Sequence, residues 1–502
     1  MLISRGASLA LAFIFAFTAS SVFASSSLQA NRSEEALTYN ASGADKYTHG
    51  DLEGAIADYD HALFLNPQFA KAYYNRGLAK YDQGDFSEAV ADYDQAIRLN
   101  PKYEDAYVNR ALAKDNLNDL DGAIEDNNQA LKLNPSDPFV FNNRGWVKYR
   151  KGDLDAAILD YSQAIQLSPK MSQPYNDRGV AEREKGDTVL AIADYTRAIE
   201  LDPGDDQAYY NRAVVRSDKD DIDGAIIDLD EALKIDPKYV NAYLDRAALK
   251  GQKDDWDGAL ADYNQAITYN PQSSSAYNER GLASYHKGDA DAAMIDYNRA
   301  ISLDSQSVDA YNNRGNLQKD LQNWDGALAD YNQALLLDPK CAYAYNDRGI
   351  VEQAQGNLAL ALADYSLSMK LDPKNVQAYS NLSSLYEAQG NWDKAIMYAN
   401  RAIQIDREFS QAYNNRGVAE YHKHDLTSAM ADYDRALQLD PNDEHAYNNR
   451  GLAQQAQGNF EEAVMDFDLA IQIDPQFSTA QHNRAWAEYA QGNVLGAIAD
   501  LF

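Results

Sequence analysis

The chain is 502 residues long and carries 45 Lys and Arg against 77 Asp and Glu, a net charge of −32 that repels polyanions and excludes DNA or RNA as a partner. Hydrophobic residues make up 45% and aromatics 11%, enough to bury a core, which excludes global disorder. The single cysteine, Cys341, excludes a disulfide framework and any all-cysteine metal site.

The first element is an address. Arg5 precedes an apolar run from Leu9 to Ala19, and Ser20-Ser21-Val22-Phe23-Ala24 follows. A basic start, a short apolar run and small residues before the break read as a secretory signal peptide over 1–24, cut after Ala24. The run is too short for a membrane span and breaks into serine. The processed chain is therefore expected to be secreted or periplasmic, with no integral span, and 25–35 is expected to be a short linker.

From residue 36 a single unit repeats to the end. Pro stands at 67, 101, 135, 169, 203, 237 and 271, and again at 339, 373, 441 and 475, all on one 34-residue grid. With units starting at 36, 70, 104 and so on to 478, thirteen are complete and a fourteenth stops after 25 residues. A fixed period of this length means one continuous array over 36–502 rather than several domains.

Each unit reads as two helices. In 70–103, Ala72 to Gln83 holds good helix formers, Gly84-Asp85 breaks them, and Asp85 suits an N-cap. Ser87 to Leu99 then carries Ala89, Tyr93 and Ala96 at helical spacing, and Asn100-Pro101 ends it. Position 20 of the unit is Ala in all fourteen units, position 8 is always Gly, Ala or Ser, and position 4 is Tyr in twelve. Small residues at 8 let two antiparallel helices approach, and rings at 4 fill the gap between neighbouring units.

Tyr73, Gly77, Ala89, Tyr93, Ala96 and Pro101 together resemble the tetratricopeptide repeat family, and the resemblance covers 36–502. It implies an all-α fold, a right-handed superhelical solenoid of helix–turn–helix units. It also implies a groove that holds a peptide or partner segment.

The sequence departs from that family at position 7, which is Arg in twelve units, and at position 23, which is Asp in thirteen. Both lie eight residues from the helix break, so they sit level across an antiparallel pair. Ion pairs are expected inside each unit, such as Arg76 with Asp92, Arg314 with Asp330 and Arg450 with Asp466. Leu382 and Tyr398 replace both charges together in one unit, whereas Ser42 faces Asp58 in the first.

Position 6 is the candidate recognition position. It is Asn at 75, 109, 143, 211, 313, 381, 415, 449 and 483, and acidic at Asp177, Asp245, Glu279 and Asp347. An Asn amide both donates and accepts, so Asn75, Asn109, Asn143, Asn211, Asn313, Asn381, Asn415, Asn449 and Asn483 can pair with a peptide backbone. Two readings stand: these amides grip a partner, as a similar ladder does in the superhelical part of the O-GlcNAc transferases, or they bond within and between helices. Positions 9 (Leu78, Trp146, Asn316, Ser384, Trp486) and 12 vary against the fixed frame. Tyr81, Tyr149, Tyr285, Tyr421 and Tyr489 are the position-12 rings suited to an interface.

The chain holds no phosphate loop, nucleophile elbow or zinc-protease helix, so neither catalysis nor a cofactor is expected. His422 and His424 stand at a helix break with spacing that rarely shares a metal. Lys340 beside Cys341 would favour the thiolate, although an incidental turn residue is the plainer reading. The final Ala497 to Phe502 stops inside a second helix with apolar surface uncovered, which reads as a fragment, a truncated reading frame, or an end buried on a partner or by self-association. The composite expectation is an interaction scaffold binding protein or peptide in its groove. The alternative is a structural or assembly subunit of an envelope or export complex, using end-to-end and convex contacts.

Overall fold

A computed structural model describes residue 29 and residues 31–493. The signal peptide expected over 1–24 and the second helix expected after 493 lie outside the described residues. Among the described residues the fold is all-α, and helices alternate from Leu52–Leu65 to Ser478–Gln491. None of these helices is long and apolar enough to cross a membrane. The linker expected over 25–35 is shorter than that reading: residues 31–48 form the first helix, and Ala36 within it is fully buried. Ser33 and Thr38 bond back to carbonyls four residues earlier, which continues the helical pattern upstream of the first repeat position.

The chain divides into two compact units, up to Ala242 and from Tyr243. The 34-residue sequence period runs through this division. Within each unit the same construction recurs. In the second repeat, Ala70–Asp82 is the first helix and Phe86–Leu99 the second. Gly84 turns between them at φ +87°. The residue after this turn caps the second helix in many repeats, as Asp51 does by accepting from the Gly54 amide at 2.9 Å. Asp85 itself makes no such side-chain bond. Past the second helix, Asn100 accepts from the Lys102 amide at 3.2 Å, an Asx turn that leads through Pro101 into the next repeat.

The core is built from Ala at positions 3, 20 and 27 and from the ring at position 24. Tyr93, Tyr161, Tyr195, Tyr297, Tyr331, Tyr365, Tyr433 and Phe467 are among the largest fully buried side chains. Each lies over the small residue at position 8 of its own repeat: a Cβ on Gly77 would stand 2.7 Å from the ring of Tyr93. The small residue thus makes room for a ring rather than for a bare backbone. The position-4 ring packs against the preceding repeat, as Tyr73 does on Ala62 and Leu63. First helices of successive repeats touch within each unit, while second helices stand further apart.

Candidate binding face of the first helices

The arginine at position 7 joins three helices. Arg76 donates from Nε and Nη2 to both oxygens of Asp92, at 2.9 and 2.5 Å, and from Nη1 to Asp60 of the preceding repeat at 2.5 Å. The two acids stand sixteen residues on either side. Arg450 does the same with Asp466 at 2.9 and 2.6 Å and Asp434 at 2.7 Å. Eleven of the twelve guanidinium groups also lie over their own position-4 ring, 5.5 Å away for Arg76 on Tyr73, and Arg484 has Gln481 at that position instead. The arm to the preceding repeat was not foreseen. Its signal stands in the sequence, because position 25 is Asp, Asn, Ser or Thr in all thirteen complete units, as in Asp60, Asn128, Ser162 and Thr196.

The exceptions keep the same logic. In the first repeat, Lys46 pairs with Asp58 at 2.7 Å and Ser42 donates to it at 2.6 Å. Where both charges are absent, Leu382 is fully buried and Tyr386 stacks on Tyr398 with centroids 5.5 Å apart.

Eight of the nine position-6 asparagines donate to the preceding repeat. Asn75 reaches Asn40 at 3.0 Å, Asn109 reaches Tyr74 at 3.1 Å, Asn211 reaches Asn176 at 3.0 Å and Asn313 reaches Asn278 at 3.1 Å. Asn381 reaches Asn346 at 2.9 Å, Asn415 reaches Ser380 at 3.0 Å, Asn449 reaches Asn414 at 3.0 Å and Asn483 reaches Asn448 at 2.8 Å. Every acceptor is at position 5, so the spacing is 35 residues. The polarity reverses at two acidic positions, where Asn142 donates to Asp177 at 2.9 Å and Asn312 to Asp347 at 3.5 Å, whereas Glu279 accepts from Asn278 of its own repeat. Asn143 is the exception, because the residue at position 5 before it is Val108. These bonds fix the amides in register along the first helices, and Asn109 also donates to the Asp105 carbonyl at 2.9 Å.

The position-12 rings divide. Tyr81 accepts from Asn116 at 3.0 Å, Tyr285 donates to Asp320, and Tyr421 packs edge-on to His422 at 5.3 Å. Tyr489 is 59% exposed beside the exposed Trp486. Tyr149 stacks with Trp146, centroids 5.6 Å apart and planes 28° apart. Its hydroxyl is pushed above the usual tyrosine range, first by burial and then by Glu184.

In the first unit this face opens into a pocket of about 510 Å³. Asn142, Asn143, Trp146 and Tyr149 come from one first helix, Gln173, Asn176, Asp177 and Val180 from the next, and Gln207 and Asn211 from a third. They occupy positions 2, 5, 6, 9 and 12 of three successive repeats. Asp177 accepts from Asn142 and from Gln173 at 2.8 Å, and burial raises its carboxyl above the usual range.

Two other sequence candidates resolve into packing. Cys341 is the residue before the helix Ala342–Ala354, is 4% exposed, and is pushed up by burial, the reverse of the effect read from Lys340. His422 stacks on Trp392 at 4.2 Å, and His424 makes the turn at φ 64°.

Family comparisons agree with this construction. One model described as "Tetratricopeptide repeat" matches 108–172, 142–206, 176–240, 244–308 and 382–444. Others with that description match 70–103, 317–381 and 421–482, and a "TPR repeat" model matches 43–84. No curated protein matches the chain. Among solved structures, the APC/C hetero-tetramer Cut9-Hcn1 aligns at 14% identity over 89% of this chain and 95% of that one, with a TM-score of 0.50. Yeast Tom70 aligns at 18% identity over 91% and 96%, with a TM-score of 0.39. A tetratricopeptide repeat protein from Parabacteroides merdae aligns at 22% identity over 49% and 98%, with a TM-score of 0.42.

Proposed function

Since the chain belongs to the tetratricopeptide repeat family, whose members are generally protein-interaction scaffolds, we propose that it is a non-enzymatic scaffold that holds an extended partner segment along its first-helix face. The pocket over residues 142–211 carries this reading, because it aligns amides and rings from three successive repeats on one surface. Trp146 is 42% exposed there, and exposed aromatics flanked by polar groups are the mark of an interface. Asn143 presents a whole amide to a backbone, and Asn211 presents its carbonyl and second N–H. Residues 1–24 act as an export signal, so the scaffold works outside the cytoplasm; N-terminal sequencing of the exported protein, expected to begin at Ser25, tests this.

The test of the groove is affinity capture with the full chain against a variant carrying Asn143→Ala and Trp146→Ala, with folding checked by circular dichroism. Asn143 and Trp146 are chosen because neither bonds to a neighbouring repeat. A partner lost from the variant supports the groove, and a partner held equally by both overturns it.

The second reading is an assembly subunit using the second helices. Position 22 of those helices carries Leu159 and Ile227 in the first unit and Ile295, Met397 and Met465 in the second, each more than half exposed. Capture that survives the groove variant and fails on Leu159→Ser with Ile227→Ser would favour it.

A further inference from the structure

We propose that the pocket over residues 142–211 takes a lysine or arginine side chain of the bound segment, with Asp177 as its counter-charge and Trp146 and Tyr149 as its aromatic wall. The proposal rests on the first-helix face being the groove. Asp177 is the first observation. Its carboxylate accepts from the amides of Asn142 at 2.9 Å and Gln173 at 2.8 Å, and among the described residues no lysine or arginine forms an ion pair with it. A carboxylate held out of water without a counter-charge is costly, and an incoming cation relieves that cost.

The second observation is the ring pair. Trp146 and Tyr149 line the same pocket as Asp177 and stack on one another. An indole face attracts ammonium and guanidinium groups, more strongly where water is displaced.

The third comes from the chain itself. Asp347 holds the same position in a later repeat; burial raises its carboxyl as well, and there the charge of Lys319, at position 12 of the preceding repeat, opposes that rise. The corresponding residue before Asp177 is Tyr149, and Asn316 is replaced by Trp146. The chain's own ammonium has given way to a ring and an open cavity of about 510 Å³. An external cation supplies at Asp177 the opposing charge that Lys319 supplies at Asp347.

A random 12-residue peptide library, selected on the full chain in about 0.3 M salt to screen the net charge, tests this. The expected result is enrichment of Lys or Arg at one fixed register, with norleucine at that register weakening a selected peptide at least about tenfold. Asp177→Asn keeps the shape and the Asn142 bond and should weaken binding by a similar factor. Tyr149→Lys supplies the cation from within, as Lys319 does, and should block basic peptides. Selected peptides that lack a basic register but are lost on Asn143→Ala with Trp146→Ala overturn the cation pocket and leave the groove standing. Basic peptides that bind Asp177→Asn and Tyr149→Lys as tightly as wild type also overturn it, because attraction then belongs to the overall charge. A library that yields no binder overturns both the pocket and the groove.

Discussion

Arg314 holds both oxygens of Asp330, from Nε at 2.8 Å and from Nη2 at 2.6 Å, while its Nη1 reaches Asn298 of the preceding repeat at 2.5 Å. A planar fork is the only side chain that satisfies this geometry, so lysine would not replace it. Asp330 is 4% exposed, and removing its partner leaves a buried charge held only by Gln318 at 3.0 Å. Arg314→Leu should therefore cost about 1–3 kcal/mol in urea unfolding. The double variant with Asp330→Tyr copies Leu382 and Tyr398 and should recover part of that loss. A double-mutant cycle with no coupling would show that the pair contributes nothing beyond its two single sites.

Gly349 and Tyr365 show the same dependence between helices in apolar form. A Cβ on Gly349 would meet the Tyr365 ring at 2.7 Å, so Gly349→Ala should destabilise by about 1–3 kcal/mol. Tyr365→Leu in the same background should restore most of it. The chain already uses that solution at Ala213 with Leu229, and a smaller one at Ser383 with Ala399. Ala247 with Tyr263 is the one such combination that keeps the ring, and that ring is 4% exposed. Thermal melting of the two variants checks the order.

Gln322 turns between helices at φ 58°, where nine other repeats place a glycine in the same left-handed conformation. The amide of Gln322 bonds to the Lys319 carbonyl at 2.9 Å, a bond glycine keeps. Gln322→Gly should raise stability by about 0.5–1 kcal/mol, the relief of a Cβ in the left-handed region less the added freedom of the unfolded chain. Asp220→Gly and Asp254→Gly should act in the same direction. A fall in the urea midpoint for all three would overturn the strain argument.

The repeat, its two helices and the level pairing of positions 7 and 23 can be read from spacing alone, because each depends on neighbours within one unit. What joins one repeat to the next is less visible. The second arm of Arg76 to Asp60 and the bond from Asn75 to Asn40 link residues 16 and 35 apart. Both leave a trace in the sequence: polar residues fill position 25 of every complete unit, and Val108 stands opposite the one unbonded Asn143. Neither trace shows when each unit is treated as closed. The pocket at Asp177 is harder still. It depends on which side chains from three helices fail to fill the space between them, and no periodic pattern encodes that.

Glu182 and Glu420 give the array a pH dependence with a definite sign. Burial pushes Glu182 from its ordinary 4.5 up to about 7; the charge of Asp194 adds to this, and Arg178 opposes it. Glu420 reaches about 7 by the same route with Asp432 and Arg416, and burial carries Glu387 to about 8. A raised carboxyl keeps its proton in the folded state and releases it on unfolding. Its contribution is complete below the unfolded value near 4.5 and is lost as pH rises through 7 to 8. The melting temperature should accordingly fall between pH 5.5 and pH 8. Glutamine already stands at the same position in another repeat, where Gln318 donates to Asp330 at 3.0 Å. Glu182→Gln with Glu420→Gln supplies that donor at every pH. It should flatten the slope and raise the melting temperature at pH 8 by at least about 2 °C. An unchanged slope would place the titration elsewhere, with Glu387→Gln as the variant that then has to account for it.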